Sequence, residues 1–130
     1  MIGEFELKEY LEAHTHVDIL LDTFPYPGGT TTAFALWMGV PTVTLAGDTM
    51  LSRQGVAMLR CVGLENWIAK SVSEYIEIAC RFANLPELLL QIRSSLRDIT
   101  LKSPLFDCQQ FAAQFQDALL KMHDRKTDSN

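Results

Sequence analysis

Cysteine is scarce and scattered. Only three of the 130 residues are cysteine, and Cys61, Cys80 and Cys108 stand far apart with no CxxC pair. An odd count without paired spacing supplies neither a disulfide framework nor a zinc pattern. The thiols read as reduced side chains of a cytoplasmic protein. Positive charge is also short: eleven Lys and Arg stand against sixteen Asp and Glu, giving a net charge of -5 and a pI near 5.1. Nucleic-acid surfaces and anionic membranes select clustered basic residues, so this balance argues against both as partners. No apolar run approaches the ~20 residues that cross a bilayer. No basic segment followed by an apolar stretch marks a secretory signal peptide. Internal repeats and low-complexity tracts are absent.

What remains is globular composition, 48% hydrophobic and 21% charged. A chain of this length forms one domain that buries roughly two-thirds of its unfolded surface. Leu7, Tyr10 and Leu11 predict a helix over 4–14. Val17 to Leu21 is a short apolar run, suited to a strand buried on both faces, and it ends at Asp22-Thr23. Pro25, Pro27, Gly28 and Gly29 force a loop. Thr30, Thr31 and Thr32 open a short buried helix through Met38, stopped by Gly39 and Pro41. Pro41 to Leu45 is a second strand, Met50 to Val62 a helix closed by Gly63, and Trp67 to Ala69 a short third strand. Ser71 and Glu74 form a capping box for a helix to Phe82. Pro86 opens another to Leu101, and Asp107 caps a last helix with Phe111, Phe115, Ala118, Leu119 and Met122 on one face. That stripe reads as core packing or as a seat for another domain.

Strands alternating with helices imply right-handed crossovers and a parallel sheet. The fold class is therefore α/β: about three short parallel strands flanked by helices, with a helical C-terminal part. Residues 1–123 form the domain and 124–130 a polar tail. So narrow a sheet has an exposed edge, as expected of the trailing part of a larger α/β domain.

In open parallel sheets, ligands sit beyond the carboxyl ends of strands. There the chain places Gly28, Gly29, Thr30, Thr31 and Thr32. Glycines let backbone approach a ligand, threonines offer hydroxyls, and a helix start offers unpaired N–H groups with a partial positive charge. Together these favour a phosphate or pyrophosphate. The same pattern also serves as plain turn and cap, so both readings stand. It is neither a Walker A loop nor GxGxxG. Asp22 either orients the loop or a ligand group, or caps the loop through its backbone. Asp48 could meet a ligand hydroxyl or only close a turn. Arg53 could pair with phosphate, with Asp48 or at a surface. His14, His16 and Asp18 fit no ligand set, so no metal is expected. No nucleophile–base constellation is present, and no residue is assigned a catalytic role.

Ile19-Leu20-Leu21-Asp22-Thr23, Gly28 to Thr32 and Ala35 to Thr44 together resemble one family. It is the C-terminal catalytic region of O-linked N-acetylglucosamine transferases and their SPINDLY-like relatives, which carry tetratricopeptide repeats. The likeness continues through Leu45 to Asp48, Ser52-Arg53, Gly63-Leu64, Ile68 to Lys70, Tyr75 and Ser103 to Phe106, nearly all of residues 17–122 in order. It implies the C-terminal, Rossmann-like half of a GT-B glycosyltransferase, which binds a UDP-sugar such as UDP-N-acetylglucosamine and transfers the sugar to a protein acceptor without a metal or other cofactor. By this resemblance Thr30 and Thr31 contact the donor diphosphate. Where many relatives carry His this chain has Gly29, and where an acid usually accepts from the ribose it has Phe34, which cannot accept. The partner Rossmann half and the tetratricopeptide repeats would belong to the parent protein. The chain alone is therefore expected not to turn over, since donor and acceptor must be held together. The alternative is a non-catalytic interaction or regulatory module derived from this fold.

Overall fold

A computed structural model of the protein describes residues 6–127, with side chains to residue 124. The elements are α1 (Leu7–Ala13), β1 (Leu20–Leu21), α2 (Thr30–Trp37), β2 (Thr42–Leu45), α3 (Gln54–Cys61), β3 (Ile68–Ala69), α4 (Val72–Ala83), α5 (Pro86–Lys102) and α6 (Cys108–Thr127). Short 3-10 turns at His14–His16, Leu51–Arg53 and Glu65–Trp67 lead into β1, α3 and β3. The three strands run parallel in the order β1-β2-β3, with Leu20 opposite Thr42 and Thr44 opposite Ile68.

β1 is shorter than the apolar run from Val17 suggests, and, at the edge of the sheet, it is not buried on both faces: Leu20 is half-buried and Leu21 is 53% exposed. The Leu20 amide donates to Pro41 O at 2.9 Å, and Pro41 has no N–H to extend the ladder toward residue 18. Arg93 of α5 takes over there. Its guanidinium donates to the Val17 carbonyl, and its Nε lies 3.9 Å from Asp18 Oδ1. The helix expected from Met50 likewise begins as a 3-10 turn and becomes α-helical only at Gln54. Gly39 and Gly63 follow α2 and α3 at φ 76° and 73°, the left-handed stops the sequence predicts.

The core lies between the sheet and its helices. Leu36 of α2, Val43 of β2, Leu59 of α3, Ala69 of β3 and Leu96 of α5 are all but inaccessible to solvent. Trp67 stacks on Phe82 of α4 with centroids 3.9 Å apart and planes 10° from parallel. Burying such aliphatic and aromatic side chains contributes about 1.5–3 kcal/mol each.

α6 stands apart from this core. Phe111, Phe115, Leu119 and Met122 are each more than half exposed, so the stripe is not core packing within this chain. The helix starts as expected: Asp107 Oδ1 accepts from the Gln110 amide at 2.8 Å. It then runs to Thr127, past residue 123 where a polar tail was expected. Polar residues do not end a helix that meets neither Gly nor Pro, and pairs such as Lys121–Asp117 at 2.7 Å support it. No helix among the described residues is long and apolar enough to cross a membrane.

Candidate functional site

The carboxyl end of β1 leads into residues 22–29, a loop containing a cis Phe24–Pro25 bond, and then into α2. Asp22 organises this turn. It is buried, at 4% exposure. One carboxylate oxygen accepts from the Gly28 amide and the other from Thr44 Oγ1, both at 2.7 Å. The Asp22 carbonyl accepts from Tyr75 Oη at 2.8 Å, which ties the loop to α4. Burial raises the Tyr75 pKa, and the neighbouring Asp22 charge raises it further. Thr32 Oγ1 donates back to Gly28 O at 3.0 Å, closing the turn from the helix side.

These bonds divide the loop residues into two sets. The Gly28 amide, both Asp22 oxygens and the Thr32 hydroxyl already have partners within the chain. The amides of Gly29, Thr30, Thr31 and Thr32, and the hydroxyls of Thr30 and Thr31, make no hydrogen bond among the described residues. The first α2 amide with a chain partner is Ala33, which donates to Gly29 O at 3.1 Å. Thr30 and Thr31 are exposed while Thr32 is buried. Unpaired donors on successive residues, at the positive end of a helix dipole, are groups chemically able to hold an anion.

One hollow borders this helix start, and a second lies against the loop that precedes it. The first is an open groove of about 650 Å³ lined by Gly29, Thr30, Ala33, Gln54, Met58 and Leu105. The other, of about 400 Å³, lies beyond the ends of β1 and β2, with Phe24, Pro27, Leu45, Asp48 and Ser52 on its walls. Asp48 is exposed and makes no hydrogen bond among the described residues. Arg53 does not pair with it: Arg53 Nη1 donates to Gly47 O at 3.1 Å, fixing the turn after β2. Phe34 is half-buried and packs edge-on against Tyr10, with centroids 6.0 Å apart, and Tyr10 meets His14 at 4.9 Å. His14 is buried, with Nδ1 2.9 Å from Tyr10 O.

Sequence reasoning assigned no role to Thr44, Gly55 or Gln54. Gly55 lets α3 press against the Asp22 network. A Cβ there would lie 2.4 Å from Thr44 Oγ1 and 2.7 Å from Asp22 Oδ2. A glycine inside a helical pattern was the available signal, since it commonly marks close packing. Nothing local distinguishes Thr44 from any strand threonine, because its partner lies 22 residues away.

The chain matches the model of glycosyl transferase family 41 over residues 7–115. It is 40% identical over 122 residues to the tomato (Solanum lycopersicum) protein named probable UDP-N-acetylglucosamine--peptide N-acetylglucosaminyltransferase SPINDLY, covering 94% of this chain and 13% of that protein. To the Caenorhabditis elegans UDP-N-acetylglucosamine--peptide N-acetylglucosaminyltransferase it is 30% identical over 118 residues, 91% of this chain and 10% of that one. Among solved structures, a mutant of the Thermobaculum terrenum O-GlcNAc transferase superposes with a TM-score of 0.87 at 35% identity, over 93% of this chain and 23% of the other. The chain thus spans about an eighth of the length of the curated plant relative it matches. The three-stranded parallel sheet with flanking helices agrees with the α/β, GT-B-type class expected from the sequence. The chain belongs to glycosyl transferase family 41.

Proposed function

We propose that this chain is the nucleotide-sugar-binding part of a protein O-glycosyltransferase, with UDP-N-acetylglucosamine as donor. The observation that carries the reading is the set of unclaimed donors on Gly29 to Thr32, opening α2 beside an open groove. A diphosphate presents several acceptor oxygens to these amides and to the Thr30 and Thr31 hydroxyls. The relatives' names, peptide N-acetylglucosaminyltransferases, support this donor and a protein acceptor. Asp22 holds the loop in this reading rather than touching the donor, and Gly28 shapes it. Asp48, on the wall of the hollow beyond β1 and β2, and Arg53, whose Nη1 donates to Gly47 O, are candidate contacts to the sugar or the phosphates. The chemistry needs no metal or other cofactor on this reading.

The isolated chain is proposed to bind donor without transferring sugar. The acceptor has to be held in attack geometry by the other half of a two-lobed site, supplied by the parent protein. One observation favours a second reading, a non-catalytic module. Phe34 packs on Tyr10 and offers no acceptor to a ribose hydroxyl. Calorimetric titration with UDP and UDP-N-acetylglucosamine separates the two readings. Saturable binding that disappears in Thr30→Val/Thr31→Val supports the donor site. Equal binding by the double variant removes the loop from the argument, and sugar transfer by the chain alone refutes the two-lobe requirement.

A further inference from the structure

A side chain from α3 faces the mouth of the loop. Gln54 is the first residue of α3, half-buried, and lines the 650 Å³ groove beside Gly29 and Thr30. A Cβ built on Gly29 would stand 2.9 Å from Gln54 Oε1 and 3.9 Å from its Cδ. The carboxamide therefore occupies the volume that a side chain at position 29 would take. It makes no hydrogen bond among the described residues. A primary amide carries two N–H donors, and a half-turn of its terminal torsion exchanges oxygen for nitrogen. Two helices thus bring unclaimed polar groups to one place: the first amides and hydroxyls of α2, and the carboxamide at the head of α3.

We propose that Gln54 is a donor-binding residue whose carboxamide N–H donates to an oxygen of the diphosphate seated on the Gly29–Thr32 amides. The inference rests on the reading of that loop as the diphosphate site. Gly29 makes it possible, because any larger side chain there displaces the amide. The loop lacks a polar side chain at position 29, and α3 supplies one instead. The contact discriminates a diphosphate from a nucleoside, since only the former reaches this corner with an acceptor.

The test follows the side chain directly. The ¹⁵N-labelled chain is titrated with UDP, inorganic pyrophosphate and uridine while the backbone amides and the Gln54 NH2 pair are observed. UDP and pyrophosphate should shift the Gln54 pair together with the Thr30 to Thr32 amides, and uridine should leave the pair in place. Gln54→Leu should weaken UDP binding about tenfold, the ordinary worth of a hydrogen bond to a charged group. Gln54→Glu should weaken it more, because it adds negative charge at the same place. Gly29→Ala should reproduce the loss without altering Gln54. Parental affinity in the Gln54 variants, or a carboxamide pair that stays still while the Thr30 to Thr32 amides move, overturns the role of Gln54 and leaves the loop reading standing. UDP that fails to move the Thr30 to Thr32 amides overturns the loop reading itself, and the Gln54 contact with it.

Discussion

α2 and α4 both begin just beyond the carboxyl end of a parallel strand, and they begin in opposite ways. α4 is finished by its own residues. Ser71 Oγ accepts from the Glu74 amide at 3.2 Å, and Glu74 Oε2 accepts from the Lys70 amide at 2.7 Å, one residue further back than a capping box requires. α2 has glycine in the capping position and no carboxylate in its first turn. Its opening amides face a groove instead of a chain acceptor. Withholding the cap costs only a few tenths of a kcal/mol when glycine replaces serine. On the proposed reading, α2 can hold an external anion because the chain supplies no cap of its own. The acid that could have capped α2, Asp22, is held one step back, on Gly28 and Thr44.

That contrast can be broken at several points. The largest effect is expected from Gly55→Val, which drives methyl groups into Thr44 and Asp22. Overpacking of this kind costs about 3 kcal/mol, read as a fall in the urea midpoint. A loss below ~1 kcal/mol would mean α3 can lift away from the network. Asp22→Ala leaves the Thr44 hydroxyl and the Gly28 amide without acceptors and should cost about 2 kcal/mol. Hydrogen exchange should then quicken at the start of α2 and stay unchanged at the start of α4.

The comparison itself is tested by paired caps. Ser71→Ala should cost about 1 kcal/mol of stability and leave UDP binding unchanged. Thr30→Val/Thr31→Val should cost less than ~0.5 kcal/mol, since neither hydroxyl has a chain partner, yet lose UDP. The reverse pattern would erase the distinction between the two starts.

The smallest effect at neutral pH belongs to Tyr75. Its phenol is raised above the ordinary value of 10.0, first by burial and then by Asp22. In the unfolded chain the phenol ionises first as pH rises, while the native state resists. The stability it contributes is therefore complete below pH 10 and is lost as pH climbs through and beyond it. Urea midpoints at pH 8 and pH 11 should fall further apart in the parent chain than in Tyr75→Phe.

Much of this was legible in the residues. Strand and helix order follow from short apolar runs broken by Pro and Gly, and the capping of α4 and α6 follows from Ser71 and Asp107. The errors have local causes. Pro41 cuts the ladder that the apolar run from Val17 appears to offer, and polar residues beyond 123 do not stop α6. At the site, the position of Gly28 to Thr32 was readable because turn chemistry and helix starts are local. The division of labour within it was not. Whether Gly28 offers its amide outward depends on a carboxylate six residues away, and Asp22 in turn depends on Thr44 across the sheet.

The order of the residues alone decided that a glycine-rich turn and three threonines would open a helix after a short apolar strand. Backbone preference and apolar periodicity act over a few residues and leave few alternatives. Only the packed chain decided which donors remain for a ligand. That choice is made by partners brought together from β2, α3 and α4: Thr44 and Tyr75 on Asp22, Gly55 pressed against Thr44 and Asp22, and Gln54 turned toward Gly29. Such contacts exist once the sheet has formed, because the groups that make them lie tens of residues apart along the chain.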